Sequence, residues 1–397
     1  MTTPHAVISG ASIAGLSAAF WLRRTGWDVT VIERAPAFRD GGQNVDVRGV
    51  AREVLRRMGL FDQVKALHTT ETGTVLVDPD GKVRAALPSA GPDGATAELE
   101  VLRGDLARTI LDALPALASV YGDTIAEVTD GPEDITVTST NGRVLRADLL
   151  VVAEGVGSTT RDRLFGSTVE RRELDITMVF GTIPRTPTDD SRWRWCNLVG
   201  GRQIHLRPDN RGTSRAILSY SPGDDLTGMD RATALRRVRD RYAGAGWEAP
   251  RVLDGFDTSD DVYIDYLTQI RMPAWHRGRV VLAGDAAWCV TPIGGGGASL
   301  ALTSGYVLAT YLARHPGDPR TALTEYERWM RPLVDDVQRL PPGIQHFAYP
   351  QTQLGLTVRG VFDKALTAPV LAPLTARLTR VADTTRTLPE PPPRTRV

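Results

Sequence analysis

A short apolar run, His5-Ala-Val-Ile-Ser9, stops at Gly10 and reads as a buried parallel strand. From Leu16 to Thr25 the apolar positions (Leu16, Ala19, Phe20, Leu22) recur at helical spacing, and Gly26 closes the segment as a C-cap. Trp27 to Ile32 is a second strand-like run, so the chain opens with a βαβ unit. A helix is expected after Arg48, ending at Gly59. Residues 73–101 alternate, with turn signals at Asp80-Gly81 and Gly91-Pro92, and predict antiparallel strands; a helix over 105–117 follows. Strand-like runs come at 124–138 and 143–153. Residues 174–220 are rich in β-branched and aromatic side chains and predict a mostly antiparallel sheet. After a helix at 230–242 and a strand near 260–271, Arg279 to Ala283 reads as another buried strand. A Gly-rich loop leads from it into a small-residue helix at about 296–313. Helical spacing returns at 319–338 and 358–381, and the Pro- and Arg-rich stretch from Leu388 to Val397 is expected to be disordered.

Composition narrows the function classes. Of 397 residues, 42% are apolar and 24% charged, which is ordinary for a globular enzyme, and the formal net charge is zero. Neither nucleic acid nor an anionic membrane is expected as a partner. Cys196 and Cys289 are too few for a disulfide framework, and six scattered histidines lack metal-site spacing, so no metal is expected. No signal peptide pattern or membrane-length apolar run is present, which predicts a cytoplasmic protein, monomer or homodimer.

The first βαβ carries Gly10-Ala-Ser12-Ile13-Ala14-Gly15, a G-x-G-x-x-G fingerprint with serine at its second glycine. The first glycine permits the tight turn, the third lets helix and strand pack closely, and the helix N-terminal amides face a pyrophosphate. Glu33, about 20 residues on and followed by Arg34, ends the next strand, where an acid accepts hydrogen bonds from ribose hydroxyls. One ADP-binding unit of this kind serves NAD or FAD equally well.

Two later segments separate those alternatives. Ala147-Asp-Leu-Leu-Val-Val-Ala-Glu154-Gly155-Val-Gly-Ser-Thr-Thr-Arg161 resembles the "DG" fingerprint of the class A, single-component flavoprotein hydroxylases, and Gly278-Arg-Val-Val-Leu-Ala-Gly284-Asp285-Ala-Ala287 resembles their "GD" motif. With the N-terminal turn, three fingerprints stand in the family's order along nearly the whole chain. The similarity is to the group that holds para-hydroxybenzoate hydroxylase and the tetracycline-inactivating monooxygenases. It implies an α/β fold: a Rossmann-type FAD-binding domain (1–70, 101–172 and 272–318) with an inserted, mostly antiparallel β-sheet substrate domain (71–100 and 173–271). C-terminal helices (319–386) and a tail (387–397) complete it.

The resemblance also implies site residues. FAD would be held by the 10–15 turn, Glu33, Arg34, Asp46, Arg103, Glu154, Gly155, Gly284 and Asp285, with Asp285 on the ribityl chain. Pro292, Gly294, Gly295, Gly296, Gly297 and Ala298 would lie against the flavin ring, with Pro292 and Gly294 nearest the chemistry. The helix behind them would turn its positive end toward the reduced flavin. A flexible connector is the alternative for the glycine run, a helix-entry residue for Arg103, and a turn or cap for Asp46. Three departures stand out. Glu154 replaces the usual aspartate, Trp288 stands where many relatives carry histidine, and Ser299 and Ser304 stand where asparagine and an acid are common.

The implied reaction consumes NADPH or NADH and O2, and passes one oxygen atom to a small-molecule substrate through a flavin C4a-hydroperoxide. Met178 and Phe180 share one strand face, as do Trp193 and Trp195, and as do His205 and Arg207. These are candidate contacts for an aromatic or polyketide-like ligand, or else plain core. His205 and Arg207 are candidate holders of a phenolate or carboxylate. A two-component enzyme fed with FADH2, a non-oxygenating reductase and a flavin sensor are the competing classes. The chain has no G-W-x-W-x-I-P segment of the kind expected in a halogenase.

Overall fold

The computed structural model describes residues 3–87, 99–131, 133–366 and 386–390. The buried apolar runs line up in one six-stranded sheet. From edge to edge its strands are His276–Arg277, Val280–Leu282, Leu149–Val152, His5–Ser9, Asp28–Glu33 and Ala118–Tyr121. All neighbours pair in parallel except the first two. The order reverses at His5–Ser9, the central strand, so the crevice beyond its carboxyl end is the switch point where such sheets take ligands.

Helix Ile13–Arg24 leaves that crevice and packs against helix Gly297–Arg314. Small residues let the two approach closely. The Ser17 hydroxyl donates to the Leu302 carbonyl at 2.7 Å, and a β-carbon on Gly305 would meet the Ser17 carbonyl carbon at 2.4 Å. The long expected small-residue helix thus becomes the buried back wall of the nucleotide half.

The second body is a seven-stranded sheet, ordered Tyr263–Arg271, Glu170–Pro184, Thr213–Tyr220, Arg202–Pro208, Trp193–Leu198, Thr74–Val77 and Val83–Leu87. One face carries Val179, Cys196, Ile204 and Leu218 and is sealed by helices Arg231–Arg241 and Ala249–Thr258. The other face looks toward the nucleotide half and the C-terminal segments.

Thr74–Val77 and Val83–Leu87 pair antiparallel, as expected for this stretch, and Thr74–Val77 also joins the larger sheet in parallel with Trp193–Leu198. Elsewhere the structure departs from the sequence reading. Helix Ala249–Thr258 was not expected, although Ala249, Val252, Leu253 and Phe256 sit at helical spacing behind Pro250. The helix expected over 105–117 runs Arg103–Asp112 and gives way to strand Ala118–Tyr121. A further departure is in the tail, where Leu388 is buried in the main core. There Tyr306 donates to the Pro389 carbonyl and Arg57 pairs with Glu390 at 2.8 Å. The Gly91-Pro92 turn, residues 367–381 of the last expected helix, and residues 391–397 lie outside the described residues. Among those described, no helix is long and apolar enough to cross a membrane.

The helix contact at Gly305 yields a stability test. Gly305→Ala should destabilise the protein by about 1–3 kcal/mol, the usual cost of overpacking, and thermal unfolding should show a lower midpoint. An unchanged midpoint would mean that the two helices separate at no cost.

Candidate active site

At the switch point the glycines are required by contact as much as by conformation. Gly10 has φ +107°, and a β-carbon there would lie 2.3 Å from the Ala153 carbonyl oxygen; one on Gly15 would lie 1.9 Å from the Gly10 carbonyl oxygen. Ser12 is the N-cap of helix Ile13–Arg24 but makes no side-chain cap bond, and the first turn has no acid. Ile13 and Ala14 follow as buried first-turn residues. This end of the helix is therefore open to an anion. Glu33 anchors the turn, its two oxygens accepting from Ala11 N at 2.7 Å and Ala35 N at 2.8 Å. Arg34 is exposed beside it.

The other two fingerprints close on the same crevice. Gly284 has φ +61°, and a β-carbon on it would meet that of Ala14 at 2.7 Å. Asp285 opens to solvent on the cleft floor, yet the surrounding protein raises its carboxyl above the usual range, with the Arg103 charge opposing. Across the cleft, Arg103 donates to the Ser12 hydroxyl at 3.2 Å. Asp46 holds Arg48 with one oxygen at 2.7 Å. Its other oxygen and the Gln43 amide oxygen are buried without a hydrogen-bond partner among the described residues. Glycine cradles, an open helix end, a carboxylate on the floor and orphaned acceptors fit a cofactor with a pyrophosphate, a hydroxylated chain and a polar ring edge.

The departures from the family pattern acquire structural roles. Glu154 accepts from Ser9 Oγ and Ser158 Oγ at 2.6 Å each and from Thr160 Oγ1 at 2.7 Å. Gly155 follows it at φ +81°, and both residues are half-buried. Trp288 is buried against Trp275, with ring centroids 4.4 Å apart, and further from Tyr326. Ser299 pins the strand beside the cleft, since it donates to Asp46 O at 3.0 Å and accepts from Arg48 N at 2.9 Å. Ser304 bonds its own helix at Ala301 O.

Pro292 is exposed at the start of the one-turn helix Thr291–Gly294. Gly295 and Gly296 have φ +65° and +72°, and Gly297 and Ala298 begin the long helix, which also lacks a capping side chain. Gly294 has a different reason to be glycine: a β-carbon there would meet the Val337 carbonyl oxygen at 2.8 Å. It packs on helix Pro319–Gln338.

On the face of the seven-stranded sheet that Ile293 and Tyr349 pack against, the register aligns Tyr263, Phe180, Ile217, His205 and Trp195 in one row across five strands. Phe180 stacks on Tyr263 at 4.6 Å, and Trp195 lies 4.6 Å from His205 and 5.5 Å from Trp193. Met178 and Phe180 belong to a small core that Ile293 of the glycine loop packs against, with Tyr349 above.

His205 and Arg207 are not free for an anion. The Trp193 indole donates to His205 Nδ1 at 3.2 Å, so the other ring nitrogen carries the proton and donates to Gln203 Oε1 at 3.1 Å. Burial, with help from Arg207, pushes this imidazole down to about 3. Arg207 is held by Glu71 at 2.9 Å and by Glu100. Both acids escaped the sequence reading, because they lie more than 100 positions from the arginine and nothing local marks them.

Fold and site together define a flavoprotein oxidoreductase with its flavin crevice at the switch point of a parallel sheet. The comparisons agree. The chain belongs to the FAD-binding-domain family, whose profile matches residues 3–339. It is 33% identical to a flavin-dependent monooxygenase of Phoma sp over 387 residues, covering 90% of each chain. It is likewise 33% identical to a monooxygenase of Cercospora beticola over 386 residues, covering 91% of each. The tetracycline destructase Tet(51) superimposes with a TM-score of 0.81 at 25% identity, covering 98% of this chain and 100% of that one. Klebsiella pneumoniae HpxO, crystallised with FAD and uric acid, shares the fold with a TM-score of 0.78 at 20% identity, covering 96% and 97%. The protein is an FAD-dependent monooxygenase.

The purified protein should be yellow, with one FAD per chain. Glu33→Ala and Asp285→Ala each remove a carboxylate acceptor, so FAD dissociation constants measured by fluorescence should rise roughly tenfold to a hundredfold. Unchanged affinity in both would contradict the cofactor assignment.

Proposed function

We propose that NADPH or NADH reduces the bound flavin directly, and that the substrate is an aromatic or polyketide-like molecule of more than one ring. The single observation that carries the substrate reading is the row Tyr263–Phe180–Ile217–His205–Trp195, which meets the flavin-side loop at Ile293. A planar molecule can lie along that row by stacking.

Bound FAD supplies the redox chemistry and the activation of oxygen. The protein supplies position and a dry site. Glu33, Arg103, Asp285 and the 10–15 turn are the groups that would hold the cofactor, with Asp46 and the backbone of Gly295 to Ala298 along its ring. The N-terminal end of Gly297–Arg314 offers uncapped amides that favour negative charge on the reduced ring. Met178, Phe180 and Ile293 exclude water from the oxygen-transfer space, which protects a reactive oxygen species from wasteful decay. Direct reduction by NAD(P)H rests on similarity to single-component hydroxylases; among the described residues there is only one parallel sheet with a phosphate-binding turn.

NAD(P)H alone should bleach the flavin without a partner reductase, and faster when substrate is added. Strict dependence on externally supplied FADH2 would overturn the single-component reading. Met178→Asp or Phe180→Asp should retain FAD yet lose at least about a hundredfold in turnover, because a charge buried in the apolar cavity opposes substrate binding. Normal product formation by either variant would remove the sheet face from the active site.

A further inference from the structure

The cations on the substrate face are paired with carboxylates, and this bears on which ring systems fit. Two guanidiniums rise from this face, and each is already shared by two carboxylates. Arg207, over the Trp193 ring at 4.1 Å, is held by Glu71 and Glu100. Arg215 binds Asp209 at 3.1 Å and Asp261 at 2.9 Å. All six side chains are largely buried except Asp261, which is partly open.

The neighbouring cations each face a carboxylate. Arg48 is engaged by Asp46 at 2.7 Å, and Arg359, reaching the Trp195 ring from the covering helix, is tied to Asp363 at 2.8 Å. Arg103, close enough for its charge to act on Tyr263, also acts on Asp285. Asp265 lies beside Met178 on the adjoining strand and makes no ion pair among the described residues. Burial and the nearby Asp285 charge push it up to about 6. Glu71 is also pushed up, by burial in company with Glu100 and Asp46. His205 is neutral, with both ring nitrogens taken. With Glu71 and Asp265 drawn toward their neutral forms, the face holds no surplus cation among the described residues. An added anion would push these carboxyls further from ionisation, on a face that stacking makes attractive to aromatic rings.

We infer that this site selects fused-ring substrates without an anionic substituent: an uncharged phenol or quinone is accepted, and its ring carboxylate is rejected. The inference rests on the proposed sheet-face site and narrows its substrate class. A carboxylate placed on the row would find no free guanidinium, and would approach groups of its own sign in a poorly solvated cavity. The surviving handles are neutral ones, among them the Asn197 amide, which accepts from Trp195 Nε1 at 3.2 Å, and the Tyr349 hydroxyl, paired with Ser219 Oγ at 2.5 Å.

The test uses FAD-loaded protein and two probes of equal size, 6-hydroxy-2-naphthoate and its carboxamide, titrated against the flavin absorption spectrum. The carboxamide should bind on the order of tenfold or more tighter than the carboxylate. Glu71→Gln, which releases half of the negative charge on Arg207, should narrow that gap several-fold; Asp265→Asn, at a separate position, should narrow it as well. A wild-type enzyme that binds the carboxylate as well as the carboxamide, or better, overturns the inference while leaving the sheet-face site in place. A gap that neither variant narrows also overturns it, since the selection would then be steric. If neither probe perturbs the flavin spectrum, the sheet-face reading falls and the inference falls with it.

Discussion

A β-carbon on Gly10 would lie 2.3 Å from the Ala153 carbonyl oxygen, and one on Gly284 would lie 2.7 Å from the side chain of Ala14. These two absences let three stretches of chain, nearly 300 residues apart at their extremes, share one crevice. Because the first turn can rest against the strand end at Ala153, helix Ile13–Arg24 starts with its amides facing the cleft. Because Gly284 can pass Ala14, Asp285 arrives on the floor of the same cleft. The close contact of Ser17 with Gly305 then sets the helix behind the glycine loop, and the loop's own position follows from it. A side chain at any of these glycines would push the fingerprints apart before it touched a cofactor.

The seven-stranded sheet obeys a different constraint. A sheet buried on both faces needs apolar cover or paired charge on each. Helices Arg231–Arg241 and Ala249–Thr258 provide apolar cover on one face. The other face keeps two arginines, and burying a guanidinium demands partners, so Glu71, Glu100, Asp209 and Asp261 converge on them. Beside these paired charges the face is aromatic, with Tyr263, Phe180, His205 and Trp195 in one row. The same pairing that makes the arginines tolerable in the interior removes them as anion ligands.

Much of the nucleotide half was legible in the sequence because its signals are local. A glycine turn between a strand and a helix, an acid at the next strand end, and the GD segment before a glycine loop each announce themselves within about ten residues. The row of Met178, Phe180, Trp195 and His205 on one face was legible for the same reason, since alternation puts neighbours two apart on a common side. What escaped was long-range. Arg207 reads as a free cation until Glu71 and Glu100 arrive from another part of the chain. The hydroxyl of Ser9, far away in sequence, that binds Glu154 is likewise invisible locally. The parallel pairing of Thr74–Val77 depends on a partner strand more than 100 residues away, and the burial of Leu388 depends on a groove that no tail composition encodes.

A monooxygenase passes one atom of dioxygen from its flavin site into its substrate. FAD-loaded enzyme, NADPH or NADH and a set of uncharged fused-ring phenols under ¹⁸O2, followed by product mass spectrometry, test this directly. The expected product carries one ¹⁸O atom, with one reduced nicotinamide oxidised per product. Products that carry no ¹⁸O, or nicotinamide oxidation that ends wholly in labelled hydrogen peroxide with every phenol unchanged, would contradict it.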